Sequence, residues 1–104
     1  IRENRLPDAL FAASDLQALG ALSALQDAGL SAPDDVALVG FDDVRVAAFA
    51  RLSTIRQPMY EMGHAAAERL LERLETPDLM PVAREFKPEL VVRGSSVRQA
   101  SPVT

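Results

Sequence analysis

The 104-residue sequence contains no cysteine, and this absence removes two classes of small protein. Without thiols the chain cannot carry a disulfide framework or a thiolate metal site. Apolar runs are short as well, and none approaches the roughly 20 residues that a membrane-spanning helix needs. The first ten residues, IRENRLPDAL, are charged at both ends and lack the apolar stretch of a signal peptide. We therefore expect a cytoplasmic protein that does not contact the membrane.

Basic residues are too few and too scattered to form a nucleic-acid-binding face. The chain has 11 Lys and Arg against 15 Asp and Glu, which gives a formal net charge of −4. Binding to nucleic acid requires a stripe of cations that neutralises several phosphates. With 48% hydrophobic and 25% charged residues, the composition is nevertheless that of a globular domain. Because the first residue is Ile1 rather than Met, we interpret the chain as a piece of a longer protein.

Short apolar runs alternate with helical patterns along the chain, which is typical of an α/β fold with a parallel sheet. Strands are predicted at residues 9–13, 36–41, 52–55 and 89–93. A first helix is predicted to begin at Ser14 or Asp15 and to end at Gly29, and a second to span residues 59–75. The polar tail, residues 97–104, is predicted to lack structure at its end.

The two predicted helices differ in how their apolar residues are arranged. In the second helix they occupy one face and the glutamates the other, and His64 lies at the edge of the polar face. In the first helix the leucines spread over about half of the circumference, which is wider than packing on one sheet requires. A dimer contact and a helix enclosed within its own domain both explain this surplus.

Polar side chains follow two of the predicted strands, at the edge of the sheet where ligands of α/β proteins bind. Ser14 and Asp15 follow the first strand, and Asp42 and Asp43 follow the second. An ionised aspartate at this edge can accept two hydrogen bonds, which suits a sugar or a purine-like ligand. The alternatives are that Ser14 and Asp15 cap the helix and that Asp43 caps the next segment or faces solvent.

The sequence carries no catalytic motif of a familiar kind. HExxH, GxSxG and Gly-rich phosphate loops are all absent, and His64 has no nucleophile or metal ligand at a telling spacing. Asp42 and Asp43 are adjacent, so on an extended strand they point to opposite sides and make a poor acid–base pair. We therefore expect no enzyme, no cofactor and no bound metal.

Three segments together resemble the lactose/galactose-repressor (LacI/GalR) family of bacterial transcription regulators. They are PDALFAASDLQALGALSALQDAGLSAPDDVALVGFDD, STIRQPMYEMGHAAAERLLE and ELVVRGSS, in the order and approximate spacing of the family. The resemblance runs from Pro7 to Ser96. It implies the C-terminal part of a two-lobed, periplasmic-binding-protein-like effector domain, with DNA binding confined to an N-terminal helix-turn-helix that this chain lacks.

The resemblance also implies roles for individual residues. Ser14 and Asp42 occupy positions that contact the effector, a small molecule and most simply a carbohydrate, while Gln57 and Pro58 lie where the chain crosses between lobes. The implied homodimer surface involves the first helix and the segment after Asp43, with these residues: Leu19, Leu22, Ser23 and Phe49. One departure is that the segment VRVAAFARL, before Ser53, is shorter than is usual in the family.

By the same resemblance, residues 1–57 belong to the C-terminal lobe and residues 58–96 to the N-terminal lobe. The function implied is effector sensing and dimerisation within a transcription regulator. Two alternatives stay open from the sequence: a periplasmic sugar receptor of the same fold, and a small α/β hydrolase that uses Asp42. A helix-turn-helix upstream of Ile1 would favour the regulator, and a signal peptide there the receptor.

Overall fold

The computed structural model describes residues 5–98, which form four short strands and three helices. In chain order these are β1 (Ala9–Phe11), α1 (Asp15–Asp27), β2 (Ala37–Val39), α2 (Arg45–Phe49), β3 (Thr54–Arg56), α3 (Met59–Glu75) and β4 (Glu89–Val91). The described residues divide into two compact units. Unit 1 contains residues 5–56 and 89–98, and unit 2 is Gln57–Pro88.

The strands of unit 1 confirm the predicted parallel arrangement. β1 pairs with β2 in parallel, with Leu10 opposite Leu38. Val39 at the end of β2 forms a parallel bridge with Ser53, just before β3, and the Gly40 N–H donates to the Ser53 carbonyl at 2.8 Å. β4 then runs antiparallel to β3. The carboxyl ends of β1, β2 and β3 therefore lie at one edge of unit 1.

Helix α1 begins and ends as its sequence predicts. The Ser14 hydroxyl accepts a hydrogen bond from the Gln17 N–H at 3.2 Å, which satisfies one of the unpaired donors of the first turn. At the other end Gly29 has a φ of 76°, a left-handed conformation that glycine adopts without a Cβ clash. The Leu30 N–H returns to the Leu25 carbonyl at 2.8 Å and closes the helix.

The hydrophobic core of unit 1 lies between α1, α2 and the strands. Four fully buried side chains form it: Ala18, Leu38, Ala47 and Leu52. Burying one large aliphatic side chain contributes on the order of 1.5–3 kcal/mol, so a core this small leaves unit 1 dependent on its polar contacts as well.

Unit 2 consists of α3 and the segment that follows it. Pro58 precedes the helix, where its fixed φ of −77° is compatible with a helix start. The predicted bounds of this helix are confirmed, yet none of its residues is buried. Arg69 donates to Glu72 at 3.1 Å and to the Met80 carbonyl, so it connects the helix to the following segment. Met62, Leu70, Val82 and Phe86 line a cavity of about 570 Å³ between the helix and that segment.

The structure differs from the sequence-based boundaries in two places. The strands are shorter than predicted: the Val36 N–H, at the start of the predicted second strand, donates to the carbonyl of Ser31 in the preceding loop at 3.3 Å. Residues 89–96, predicted to go with the second helix, pack in unit 1, since β4 pairs with β3 and the Ser95 N–H donates to the Arg51 carbonyl at 2.9 Å. Which lobe of a longer protein each part belongs to stays a prediction.

Only the first two residues of the predicted polar tail are described by the structure. Residues 99–104, most of the predicted polar tail, lie outside the described residues. Within the described part of that tail, Arg98 forms an ion pair with Asp34 at 2.8 Å. Among residues 5–98, no helix combines the length and the apolar character that crossing a bilayer requires.

Candidate ligand-binding edge

The loop after β2 carries Asp42 and adopts an unusual backbone conformation. Asp42 has a φ of 115° and Asp43 a φ of 55°, a region that residues with a Cβ seldom enter. Such conformations cost free energy and persist only where the surroundings hold them. Each of three successive N–H groups has a partner: Asp42 donates to the Ile55 carbonyl at 2.9 Å, and Asp43 and Val44 donate to side chains.

Asp15 supplies one of those side chains, and its carboxylate is completely buried. One oxygen accepts from the Val44 N–H at 2.7 Å, and the other accepts from the Thr54 hydroxyl at 2.6 Å. The Asp15 N–H in turn donates to the Phe41 carbonyl at 2.9 Å. Asp15 therefore joins the start of α1 to the loop after β2 and to β3. The interpretation of Asp15 as a simple helix cap misses this role.

Gly40 is the backbone position that allows this arrangement. A Cβ at Gly40 would collide with the Asp15 carboxylate and would lie 3.2 Å from both the Ala18 and the Leu52 side chains. A glycine is therefore required where the strand end passes the buried carboxylate.

Ser14 and Asp42 come to the same edge of unit 1, as predicted from their places after neighbouring strands. The link is direct, since the residue after Ser14 is hydrogen-bonded to the loop that contains Asp42. Both residues are half-buried. The capping bond of Ser14 uses a lone pair of its oxygen, so the hydroxyl proton can still be donated. That these two residues bind a ligand stays a prediction.

Asp43 lies in the same loop and is held by two arginines. Its Oδ2 lies 2.7 Å from Arg56 Nε, and its Oδ1 lies 3.1 Å from a terminal nitrogen of Arg93. Burial raises the pKa of this carboxyl, but the hydrogen bonds and charges of the two arginines outweigh it and leave the pKa below its usual value. The carboxylate in turn raises the pKa of Arg56. Asp43 is therefore an anchored carboxylate and not a capping residue.

Other predicted residues lie outside this cluster. Gln57 and Pro58 begin unit 2, directly after the last residue of β3. Of the residues assigned to a dimer surface, Phe49 is 83% exposed and Ser23 is exposed, whereas Leu19 and Leu22 are half-buried. Leu22 packs against the core of unit 1. The crossover and dimer roles stay predictions.

Two serines of the structure have a role that the sequence-based reasoning missed. The Ser95 hydroxyl donates to the Leu38 carbonyl at 2.6 Å and accepts from the Ser53 N–H at 2.8 Å. Ser53 accepts from the Arg93 N–H at 2.7 Å. These hydroxyls attach the residues after β4 to β2 and β3. For Ser95, the signal in the sequence is the Gly-Ser-Ser run that directly follows the last predicted strand.

The arrangement presents polar side chains at one strand edge. It combines a hydroxyl, carboxylates and a rigid loop at a strand edge, the place where α/β proteins bind ligands. Within residues 5–98, no group of three or more histidine or acidic side chains is arranged to hold a metal ion.

Comparisons with known proteins identify the family. The model of the periplasmic binding protein-like domain matches residues 1–96. The HTH-type transcriptional repressor PurR of Aliivibrio fischeri is 40% identical over 97 residues, covering 91% of this chain and 29% of its own length. The chain therefore belongs to the periplasmic binding protein-like domain family, in its LacI/GalR-family branch.

Two solved structures are similar to the same region. One is a complex of the transcriptional regulator CelR with cellobiose, with a TM-score of 0.80 and 40% identity, covering 86% of this chain and 28% of that one. Another is a LacI family transcriptional regulator from Lactobacillus casei with bound glucose, with a TM-score of 0.73 and 38% identity, covering 86% and 32%. The chain spans about three tenths of the length of these relatives.

Proposed function

We propose that this chain is part of the effector-sensing domain of a cytoplasmic bacterial transcription regulator, and that its effector is a sugar or a purine-like molecule, most simply a carbohydrate. The observation that carries the proposal is the hydrogen-bonded loop that brings Asp42 to the same strand edge as Ser14. The sugar complexes of two related regulators, with cellobiose and with glucose, support a carbohydrate over the alternative.

The proposed contacts follow from the chemistry of the two side chains. The carboxylate of Asp42 accepts hydrogen bonds from sugar hydroxyls or ring N–H groups, and such charge-assisted bonds are roughly twice as strong as neutral ones. The Ser14 hydroxyl can donate to a ring or hydroxyl oxygen. Because the loop N–H groups are already bonded, little conformational entropy is lost when the ligand binds.

The electrostatics of Asp43 support a binding role over a hydrolase. A general acid or base works best when its pKa lies near the operating pH. The pKa of Asp43 is lowered, after burial is offset by the hydrogen bonds of Arg56 and Arg93, so this carboxylate moves away from that range. Both of its oxygens are also occupied by arginines. Asp43 is therefore poorly suited to act as an acid–base partner of Asp42.

The main test replaces Asp42 in the full-length protein that contains this chain. Asp42→Asn keeps the shape but removes the charge, so we expect sugar affinity to fall by about 1–3 kcal/mol, or roughly 5- to 150-fold in Kd. Titration calorimetry with a panel of mono- and disaccharides, purine bases and nucleosides measures this. Asp27→Asn is a matched control, since Asp27 is exposed at the far end of α1. Equal Kd values for wild type and Asp42→Asn would remove Asp42 from the site.

Assembly and DNA binding complete the proposal. We propose that the full-length protein is a homodimer that binds DNA through an N-terminal helix-turn-helix outside this chain. Phe49 supports the dimer surface, because a phenylalanine that is 83% exposed offers a large apolar area for a partner to bury. We expect Phe49→Glu to shift the full-length protein toward monomer in light scattering across a concentration series. The control is Phe86→Glu in unit 2, and an unchanged mass for Phe49→Glu would contradict the assignment.

A further inference from the structure

We propose that Asp43 is a positioning residue, which holds residues 42–44 in the strained backbone conformation on which the placement of Asp42 depends. Its link to ligand binding rests on the function proposed above for Asp42. The anchoring itself depends only on the geometry of unit 1, so it can be tested in the absence of any ligand.

The loop has two residues that favour relaxation to another conformation. Asp42 and Asp43 both have positive φ angles, 115° and 55°, although both carry a Cβ. Hydrogen bonds from their N–H groups hold the backbone from one side, at the Ile55 carbonyl and at the Thr54 hydroxyl. Each of these bonds orients one peptide N–H, so any further contact made by the Asp43 side chain adds resistance to relaxation of the positive φ angles.

The Asp43 side chain supplies that further contact. It receives one arginine on each oxygen, at 2.7 Å from Arg56 and 3.1 Å from Arg93, and it is only 12% exposed. Arg93 is itself fixed, because it donates to the Leu52 carbonyl at 2.9 Å and its side chain is 19% exposed. The loop is therefore attached through Asp43 to an arginine that the sheet already holds.

The engagement of both Asp43 oxygens limits how this residue can act on a ligand. A carboxylate that accepts from two arginines must break those bonds before it can accept from a ligand. Asp43 therefore acts on the ligand through the backbone of Asp42, and a direct contact is not required.

One substitution isolates the charge from the backbone. Asparagine has nearly the same shape as aspartate and tolerates the left-handed region unusually well, so Asp43→Asn removes the two ion pairs without adding backbone strain. Glu89→Gln is the matched control. Glu89 contacts the same Arg56, at 3.4 Å and with its side chain 65% exposed.

Hydrogen exchange of the full-length protein, followed by mass spectrometry without added ligand, tests the anchoring. We expect exchange of the peptides that cover residues 41–44 to be about tenfold faster in Asp43→Asn. Exchange in α1 should stay at the wild-type rate, and Glu89→Gln should resemble wild type throughout. Wild-type exchange of residues 41–44 in Asp43→Asn would overturn the proposal, as would faster exchange spread equally over α1.

A conservative pair at Arg93 distinguishes charge from packing. Arg93→Gln should accelerate exchange at residues 41–44, and Arg93→Lys should restore most of the protection, because lysine keeps a cation beside the carboxylate. Combining Arg93→Gln with Asp43→Asn should add little to either change alone. Full additivity of the two changes would show that Asp43 does not act through this arginine.

A final measurement, titration calorimetry with glucose and with cellobiose as separate probes, tests whether Asp43 affects ligand binding. For whichever sugar binds the wild-type protein, we expect Asp43→Asn to raise its Kd about tenfold at unchanged stoichiometry. Unchanged affinity together with faster exchange would overturn the positioning role. Absence of binding by wild type to either sugar would count against the proposed carbohydrate effector, while the exchange data still decide the anchoring.

Discussion

Units 1 and 2 use their apolar residues in opposite ways. In unit 1 a few small and medium side chains, such as Ala18 and Leu38, are completely buried around short strands. In unit 2, α3 has a clearer division into apolar and polar faces, yet Leu70 and Leu74 are 61% and 69% exposed. A clear amphipathic pattern therefore predicts a helix and its apolar face. Whether that face is buried depends on another part of the structure packing against it, and the pattern does not reveal that part.

Polar contacts separate the two units as well. Unit 1 contains buried hydroxyl and carboxylate groups, and each of the following has hydrogen-bond partners: Asp15, Ser53, Thr54 and Ser95. The main polar contacts of unit 2 are exposed, such as the pair of His64 and Glu68 at 3.3 Å. Exposed ion pairs contribute little to the free energy of unfolding. The structure of unit 1 therefore depends on its buried hydrogen bonds more than the structure of unit 2 depends on its exposed pairs.

Truncating one leucine in each unit should give the largest contrast. Leu38→Ala removes a completely buried side chain, so we expect the free energy of unfolding to fall by about 2–5 kcal/mol. Leu70→Ala changes a side chain that is 61% exposed, and we expect a change within about 0.5 kcal/mol. Urea unfolding of this chain followed by circular dichroism measures both. Losses of equal size would mean that α3 is covered in solution and would invalidate the comparison.

A second contrast concerns the buried carboxylate. Asp15→Asn leaves one acceptor where two are needed, so either the Val44 N–H or the Thr54 hydroxyl loses its partner. We expect the free energy of unfolding to fall by about 1–3 kcal/mol in the same urea experiment. Asp27→Asn, at the exposed end of the same helix, should change it by less than about 0.5 kcal/mol. A stable Asp15→Asn protein would show that the network is dispensable.

The smallest expected effect is the acid sensitivity of Asp43, because Arg56 is half exposed and is screened by water and salt. The pKa of Asp43 in the folded chain is below the ordinary value of 3.8, since the hydrogen bonds and charges of the two arginines outweigh the effect of burial. The ion pairs therefore stabilise unit 1 fully above pH 3.8, and the stabilisation is lost as the pH falls through the lowered pKa. Asp43→Asn should flatten this acid limb in urea unfolding at stepped pH. Parallel limbs for both proteins would contradict the assignment.

Several features could be predicted because local chemistry determines them. The bounds of α3, Met59–Glu75, follow from its periodicity, from Pro58 at its start and from its turn residues. The cap at Ser14 and the left-handed glycine at Gly29 follow in the same way. Even the shared edge of Ser14 and Asp42 could be inferred, because parallel strands place their carboxyl ends together.

Other features could not be predicted from local pattern. Asp15 at a helix start favours the interpretation as a cap, and only the approach of Thr54, 39 residues later, makes it a buried acceptor. The grouping of residues 89–96 with unit 1 likewise depends on strand pairing, in which Glu89 lies opposite Arg56. Contacts between residues so far apart in sequence leave no periodicity to detect.

By itself, the sequence determined the α/β class, the extent of α1 and α3, the family, and the placement of Ser14 and Asp42 after neighbouring strands. Backbone propensity, capping and apolar spacing act within a few residues, so they can be read in order along the chain. The tertiary structure alone decided that Asp15 is buried and that Asp43 is anchored by Arg56 and Arg93. These outcomes depend on which charges and hydroxyls distant segments bring together, because burial and pairing are properties of the packed chain and not of any one segment.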